Sequence, residues 1–148
     1  MICETNDFIH PLCADVYYSI STQGSFGEIK KQWLLDRTIA CNAAPSARKN
    51  IEELDPKMVS QLNNKLNARS LTDLRVSSLD KSYAITDILI TNVRDKHNNL
   101  IYKETSGIRA GKGTIFEIAT IQPFVGPFGN VESYQMVWRR TESQASVD

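Results

Sequence analysis

Two alternating apolar runs near the end of the chain, Ile115 to Ile121 and Val131 to Arg140, flank a Gly/Pro/Phe loop at Pro123 to Gly129. A period of two sends one set of side chains inward and the other toward solvent, so this pair predicts a long β-hairpin. Tyr134, Met136 and Trp138 share one face of its second strand, and Gln135, Val137 and Arg139 share the other. The same period recurs earlier, where Val16, Tyr18 and Ile20 alternate with Tyr17, Ser19 and Ser21 before Gln23 to Gly27 breaks the run. Ile29, Lys31, Trp33 and Leu35 then fall on one face of a second strand, with Ile39 to Cys41 as a third. From Tyr83 to Arg94 both faces carry apolar, largely β-branched side chains, which is the pattern of a central strand. Asp95 to Asn99 reads as a turn, after which Leu100 to Glu104 is expected to pair back as a hairpin.

Between these runs the pattern changes. Met1 to Leu12 is an irregular arm with apolar anchors at Ile2, Phe8 and Ile9, of the sort that docks on a neighbour. Asn42 to Asn50 is small and polar, a flexible link, and a helix is predicted after it. There Asp55 can cap, Pro56 suits the first helical position, Leu54 can staple onto Val59, and Met58, Val59, Leu62 and Leu66 gather on one side. Asn63, Asn64 and Asn67 keep that helix short. Ser70 and Asp73 offer either a second capping box before Leu74 and Val76 or an extended lead-in. The resulting expectation is one mainly β domain over residues 1–148, a small antiparallel β-barrel or sandwich. It carries an arm at 1–12, a long inserted loop with one short helix at 42–80, and a flexible tail at 141–148.

Composition narrows the chemistry more than it supplies any. With 148 residues and 41% apolar content a single buried core is expected. Seventeen basic and seventeen acidic side chains cancel, so no net field draws the chain to nucleic acid or an anionic membrane. The N-terminus lacks the basic and apolar regions of a signal peptide, and no apolar run reaches the roughly 18 residues of a membrane span, so a soluble, unexported protein is expected. Cys3, Cys13 and Cys41 are odd in number and irregular in spacing, which suits neither a disulfide framework nor a zinc site and points to free thiols. His10 is near Cys13, but His97 is far away in a polar turn, so neither metal binding nor acid–base catalysis is expected and no cofactor is called for.

Four features invite a functional reading. The glycines at 107, 111 and 113 surround Arg109 and Lys112, yet the spacing is not that of a phosphate loop, and the plain reading is an exposed loop whose cations are solvated or meet an acidic partner. Trp33 and Trp138 beside Arg37, Arg139 and Arg140 could grip single-stranded nucleic acid, but core tryptophans with arginines at the rim are the simpler arrangement. Asp87, inside an apolar strand, calls for a basic or backbone partner. Phe124, Val125 and Phe128 are costly to leave in water, so their loop either folds onto its own sheet or is covered by another subunit.

The opening pattern of Tyr17, Tyr18, Gly24, Gly27, Trp33 and Ile39 to Cys41, and the closing pattern of Phe116 to Ile118, Gly129, Asn130 and Tyr134 to Arg139, span about half of the chain. Together they resemble the head-closure, or stopper, proteins of the head-to-tail connector in tailed bacteriophages. The resemblance implies a non-enzymatic small β-barrel in the virion neck, assembled in the host cytoplasm as a homo-oligomeric ring. Portal and adaptor proteins would lie above it and tail or tail-terminator proteins below, with DNA passing through the channel without sequence-specific binding. Phe124, Val125, Phe128, Arg109, Lys112, Phe8, Ile9, Met58 and Leu62 are the candidate contact residues. A tail terminator or other neck protein, or a stand-alone β-barrel that binds single-stranded nucleic acid, is the alternative.

Overall fold

The computed structural model describes residues 10–23, 26–27, 29–45, 65–142 and 144. Six strands account for the fold: β1 (Leu12–Gln23), β2 (Ile29–Pro45), β3 (Lys65–Ser70), β4 (Ile88–Arg94), β5 (Phe116–Val125) and β6 (Val131–Arg140). All neighbours are antiparallel and the order β1-β2-β3-β6-β5-β4 closes on itself, so the mainly β expectation holds. β1, β3 and β5 run toward what we term the upper rim, and β2, β4 and β6 return from it.

The alternation in the sequence sets which side chains fill the barrel. Val16, Tyr18, Ile39, Cys41, Leu66, Ile88, Ile90, Phe116, Ile118, Met136 and Trp138 are buried in one cluster. Trp138 lies 6.2 Å from Phe116, centroid to centroid, and its indole Nε1 points at the Met136 sulfur at 3.5 Å. Met136 and Trp138 thus fall inward and Gln135 and Arg139 outward, as the period of two requires. Trp33 differs from the expectation of a core residue and is only half-buried. The cause is topological, because β2 continues above the top of β3, whose last residue Ser70 pairs with Cys41.

Several expected elements change form. Ile39 to Cys41 extends β2 instead of making a third strand, and a bulge opposite Val16 and Tyr17 accommodates Asp36. The insertion expected at 42–80 is interrupted by β3, in which Leu66, assigned to the helix by its spacing, faces the core. The rest of the expected helix, with Met58 and Leu62, and the arm anchors Phe8 and Ile9 lie outside the described residues. Beyond β3 the chain crosses the upper rim through turns at residues 74–75 and 78–79, closed by Val76 N–H to the Asp73 carbonyl and Asp80 N–H to the Ser77 carbonyl, and drops Leu74 into the core as a plug. It is neither a capped helix nor an extended lead-in. Tyr18 Oη donates to the Leu74 carbonyl at 2.6 Å, and Arg37 Nη2 donates to the Val76 carbonyl at 2.6 Å. Burial pushes the Tyr18 phenol up to about 12, and charge on Arg37 acts the other way.

β4 starts at Ile88, later than the apolar run suggests, because Ile85–Asp87 forms a 3-10 turn. Asp87 finds its basic partner in Lys31 Nζ at 3.0 Å, and that hydrogen bond holds its carboxyl below the usual range. Leu100 to Glu104 does not form the expected strand. β5 pairs with β4 only at Leu89 and Ile90, and the segment meets the far end of β4 through the Arg94–Leu100 bridge and an Ile101 N–H to the Val93 carbonyl at 2.9 Å, beyond which it makes only isolated bridges at Lys103 and Glu104. The tail begins anchored, since Gln144 Nε2 donates to the Ile115 carbonyl at 3.1 Å and Thr141 N to the same oxygen at 3.1 Å. Cys13 is disulfide-bonded, which corrects the expectation of free thiols, while Cys41 is free and buried. Odd number and wide spacing argue against a framework of several bridges, but they carry no information about a single one. Among the described residues, no helix is long and apolar enough to cross a membrane.

Candidate functional site

Above Tyr18 on β1 and Tyr134 on β6 the barrel has only two-stranded ribbons, because β3 and β4 are short. The β1–β2 ribbon and the β5–β6 ribbon stand on opposite sides of the closed strand order, and both point to the upper rim. Register shows what each face carries. Leu34 lies opposite Tyr18, so Leu34 and Ile20 share the face continuous with the core. Trp33 opposite Ser19 and Leu35 opposite Tyr17 lie on the reverse face. Leu34 is 54% and Leu35 50% exposed, so the ribbon presents apolar side chains to solvent on both of its faces. A hairpin bathed in water is normally apolar on one face only.

The second ribbon adds Val125, half exposed, and Phe128, 91% exposed at the turn, which Gly129 closes with φ +82° and an N–H to the Gly126 carbonyl at 3.0 Å. The left-handed conformation at residue 129 is one that favours glycine. Phe124 behaves differently from Phe128, because the Arg69 guanidinium sits 5.5 Å above its ring. Phe124 thus stays partly exposed beneath a cation of its own sheet, while Phe128 stands outside. Phe26, at the turn of the first ribbon, is also exposed, as are Leu71 and Leu79 on the segment that crosses the same rim. Among the described residues, ten of the twelve large exposed apolar side chains, all but Ile101 and Ile108, belong to this upper end. That asymmetry is visible only after folding, since the residues come from four separate stretches of sequence.

The cations proposed as contacts do not gather. Arg109 is 4% exposed and its Nε donates to the Gly113 carbonyl at 3.1 Å, which corrects the expectation of a solvated loop cation. The glycine loop turns back on itself through the Lys103–Gly113 and Glu104–Ala110 bridges and encloses it. Lys112 is exposed in that loop. Arg139 Nη2 reaches Glu117 Oε1 at 2.6 Å, and Arg140 Nε donates to Glu104 Oε1 at 2.9 Å. Arg140 and Thr114 hold the Glu104 carboxyl below its usual range. Among the described residues no group of three or more His, Cys, Asp or Glu could hold a metal ion.

No protein-family model and no curated protein matches the chain. Among solved structures it is similar to the solution structure of protein SF1141 from Shigella flexneri 2a, with 14% identity and a TM-score of 0.49 over 93% of this chain and 98% of that one.

Proposed function

We propose that this chain is a non-enzymatic structural subunit that works by being packed against copies of itself and neighbouring proteins through its upper rim. In the form implied by its resemblance to head-closure proteins, it is a ring component of a bacteriophage neck, between portal and adaptor proteins and the tail. The observation that carries the reading is the β1–β2 ribbon with Ile20 and Leu34 on one face and Trp33 and Leu35 on the other, beside the exposed Phe128 turn. Such a ribbon gains most when both faces are covered, which one further copy on each side of a ring provides.

The contact runs through faces and tips. Pro123 on β5 occupies the strand edge left open above β4, and a proline on an edge discourages strand addition. Nucleic-acid binding is the weaker reading, because Arg109 is enclosed and Arg139 and Arg140 are paired with carboxylates. The test is the mass in solution by multi-angle light scattering, alone and with portal–adaptor complexes. Wild type is expected to form an oligomer or to join those complexes, and a Leu34→Ser/Phe128→Ser double variant to do neither. A wild-type monomer that joins nothing overturns the proposal.

A further inference from the structure

A second surface lies outside the upper rim and has different chemistry. The outer face of β2, β3, β6 and β5 holds a groove of about 650 Å³. Its centre is a cross-strand row in which Asn42 opposes Arg69, Arg69 opposes Gln135, and Gln135 opposes Gln122. A parallel row two residues away along each strand places Asn67 beside Val137 and Val137 beside Thr120, on the same four strands. All four amide side chains are exposed, and none has a hydrogen-bond partner among the described residues. Rows of this kind are held to the spacing of the sheet, about 4.8 Å between strands and roughly 14 Å across four of them.

The lining selects a ligand class. Arg69 is the one ionisable group in it, and its guanidinium is steadied over the Phe124 ring. A single cation does not hold a polyanion, whose binding needs several phosphate contacts. An apolar ligand would strip water from four amides and return nothing, at a cost for each. Each primary amide offers a donor pair and an acceptor in one plane, and a guanidinium offers a donor fork. Adjacent hydroxyl groups, each both donor and acceptor, are the complement of that array, and Val137 supplies an apolar strip for C–H faces. The volume falls within the range of about 300–1,000 Å³ typical of small-ligand sites.

We propose that this groove binds a neutral oligosaccharide, laid across β2, β3, β6 and β5 with its hydroxyls on the Asn42–Arg69–Gln135–Gln122 row. The test is saturation-transfer NMR on the full chain with maltose, cellobiose, lactose and N,N′-diacetylchitobiose at millimolar concentration, a readout that works for monomer or ring alike. A thymidine oligonucleotide and a neutral capped peptide serve as comparators. At least one disaccharide should give transfer, and Gln135→Ala and Asn67→Ala should each weaken its affinity by about tenfold, the loss of roughly one hydrogen-bond pair. Both positions are exposed, so the thermal midpoint should not move. The proposal is overturned if no disaccharide gives transfer, if transfer survives both variants, or if only the oligonucleotide or the peptide binds in a manner the variants abolish.

Discussion

Replacing Gly113 by alanine tests how tightly the lower part of the barrel is closed. A Cβ on residue 113 would lie 2.9 Å from the Asn92 backbone nitrogen and 3.0 Å from its Cα. Ordinary carbon contacts sit at about 3.5–4.0 Å, so one backbone must retreat by roughly 0.5–1 Å. Neither has slack. Asn92 holds φ +55° within β4 and donates from Nδ2 to Asp15 Oδ2 at 3.0 Å, while the Gly113 carbonyl accepts from Thr91 Oγ1 and Arg109 Nε. Overpacking of this kind costs about 1–3 kcal/mol, and one misaligned hydrogen bond adds about 1 kcal/mol. The stiffer unfolded chain returns roughly 0.4–1 kcal/mol, leaving a net loss of about 2 kcal/mol. For a domain of this size that lowers the thermal midpoint by about 4–8 °C, read by circular dichroism or calorimetry. Gly111→Ala, at φ +83° with nothing within 4 Å, isolates the conformational part and should cost only about 1 kcal/mol. A Gly113→Ala chain as stable as wild type would refute the close approach of the glycine loop to β4.

Two further perturbations follow from charge. Glu104 accepts from Arg140 and Thr114, and its carboxyl is held low in the fold, so its contribution is complete above the unfolded value of 4.5 and fades as pH falls through the folded one. Glu104→Gln should therefore cost about 1–2 kcal/mol at neutral pH and flatten the acid limb of urea midpoints; an unchanged limb would count against the pairing. His10 is buried, and burial, followed by Arg69, holds its imidazole below 6.5, favouring the neutral form. Its contribution is complete above that unfolded value and is lost on acidification below it, so His10→Leu should remove part of the stability slope between about pH 6.5 and pH 5. An identical slope in the variant would show that His10 is not the group responsible.

The hairpins were legible because alternation is a local signal. Met136 and Trp138 point inward as their spacing requires, and β1 and β6 both coincide with alternating runs. β3 was not legible. In Lys65–Ser70 the inward positions are Leu66, Ala68 and Ser70, too small and too few to mark a strand, and the segment is extended because it closes the gap between β2 and β6. Arg109 was misjudged for a related reason: glycines and cations in a row read as an exposed loop, whereas the bridges that fold the loop over its own arginine join residues up to ten apart. The groove has no local signature at all, since its amides arrive from residues 42, 67, 122 and 135 and fall into two adjacent rows only through register. The upper rim was half legible. Phe128 was identifiable from composition, but the spacing placed Leu35 on a strand face and gave no sign that Leu34 and Leu35 are both exposed, because that follows from the shortness of β3, which leaves their ribbon unsupported.

Electron microscopy of the purified chain mixed with a portal–adaptor complex addresses the assembly reading most directly. The account predicts an added ring-shaped layer in which the β1–β2 ribbons and the Phe128 turns are buried at contacts between copies or with the adjoining protein. Isolated single barrels beside an unaltered portal–adaptor complex, or a ring whose contacts leave Leu34, Leu35 and Phe128 in solvent, would contradict it.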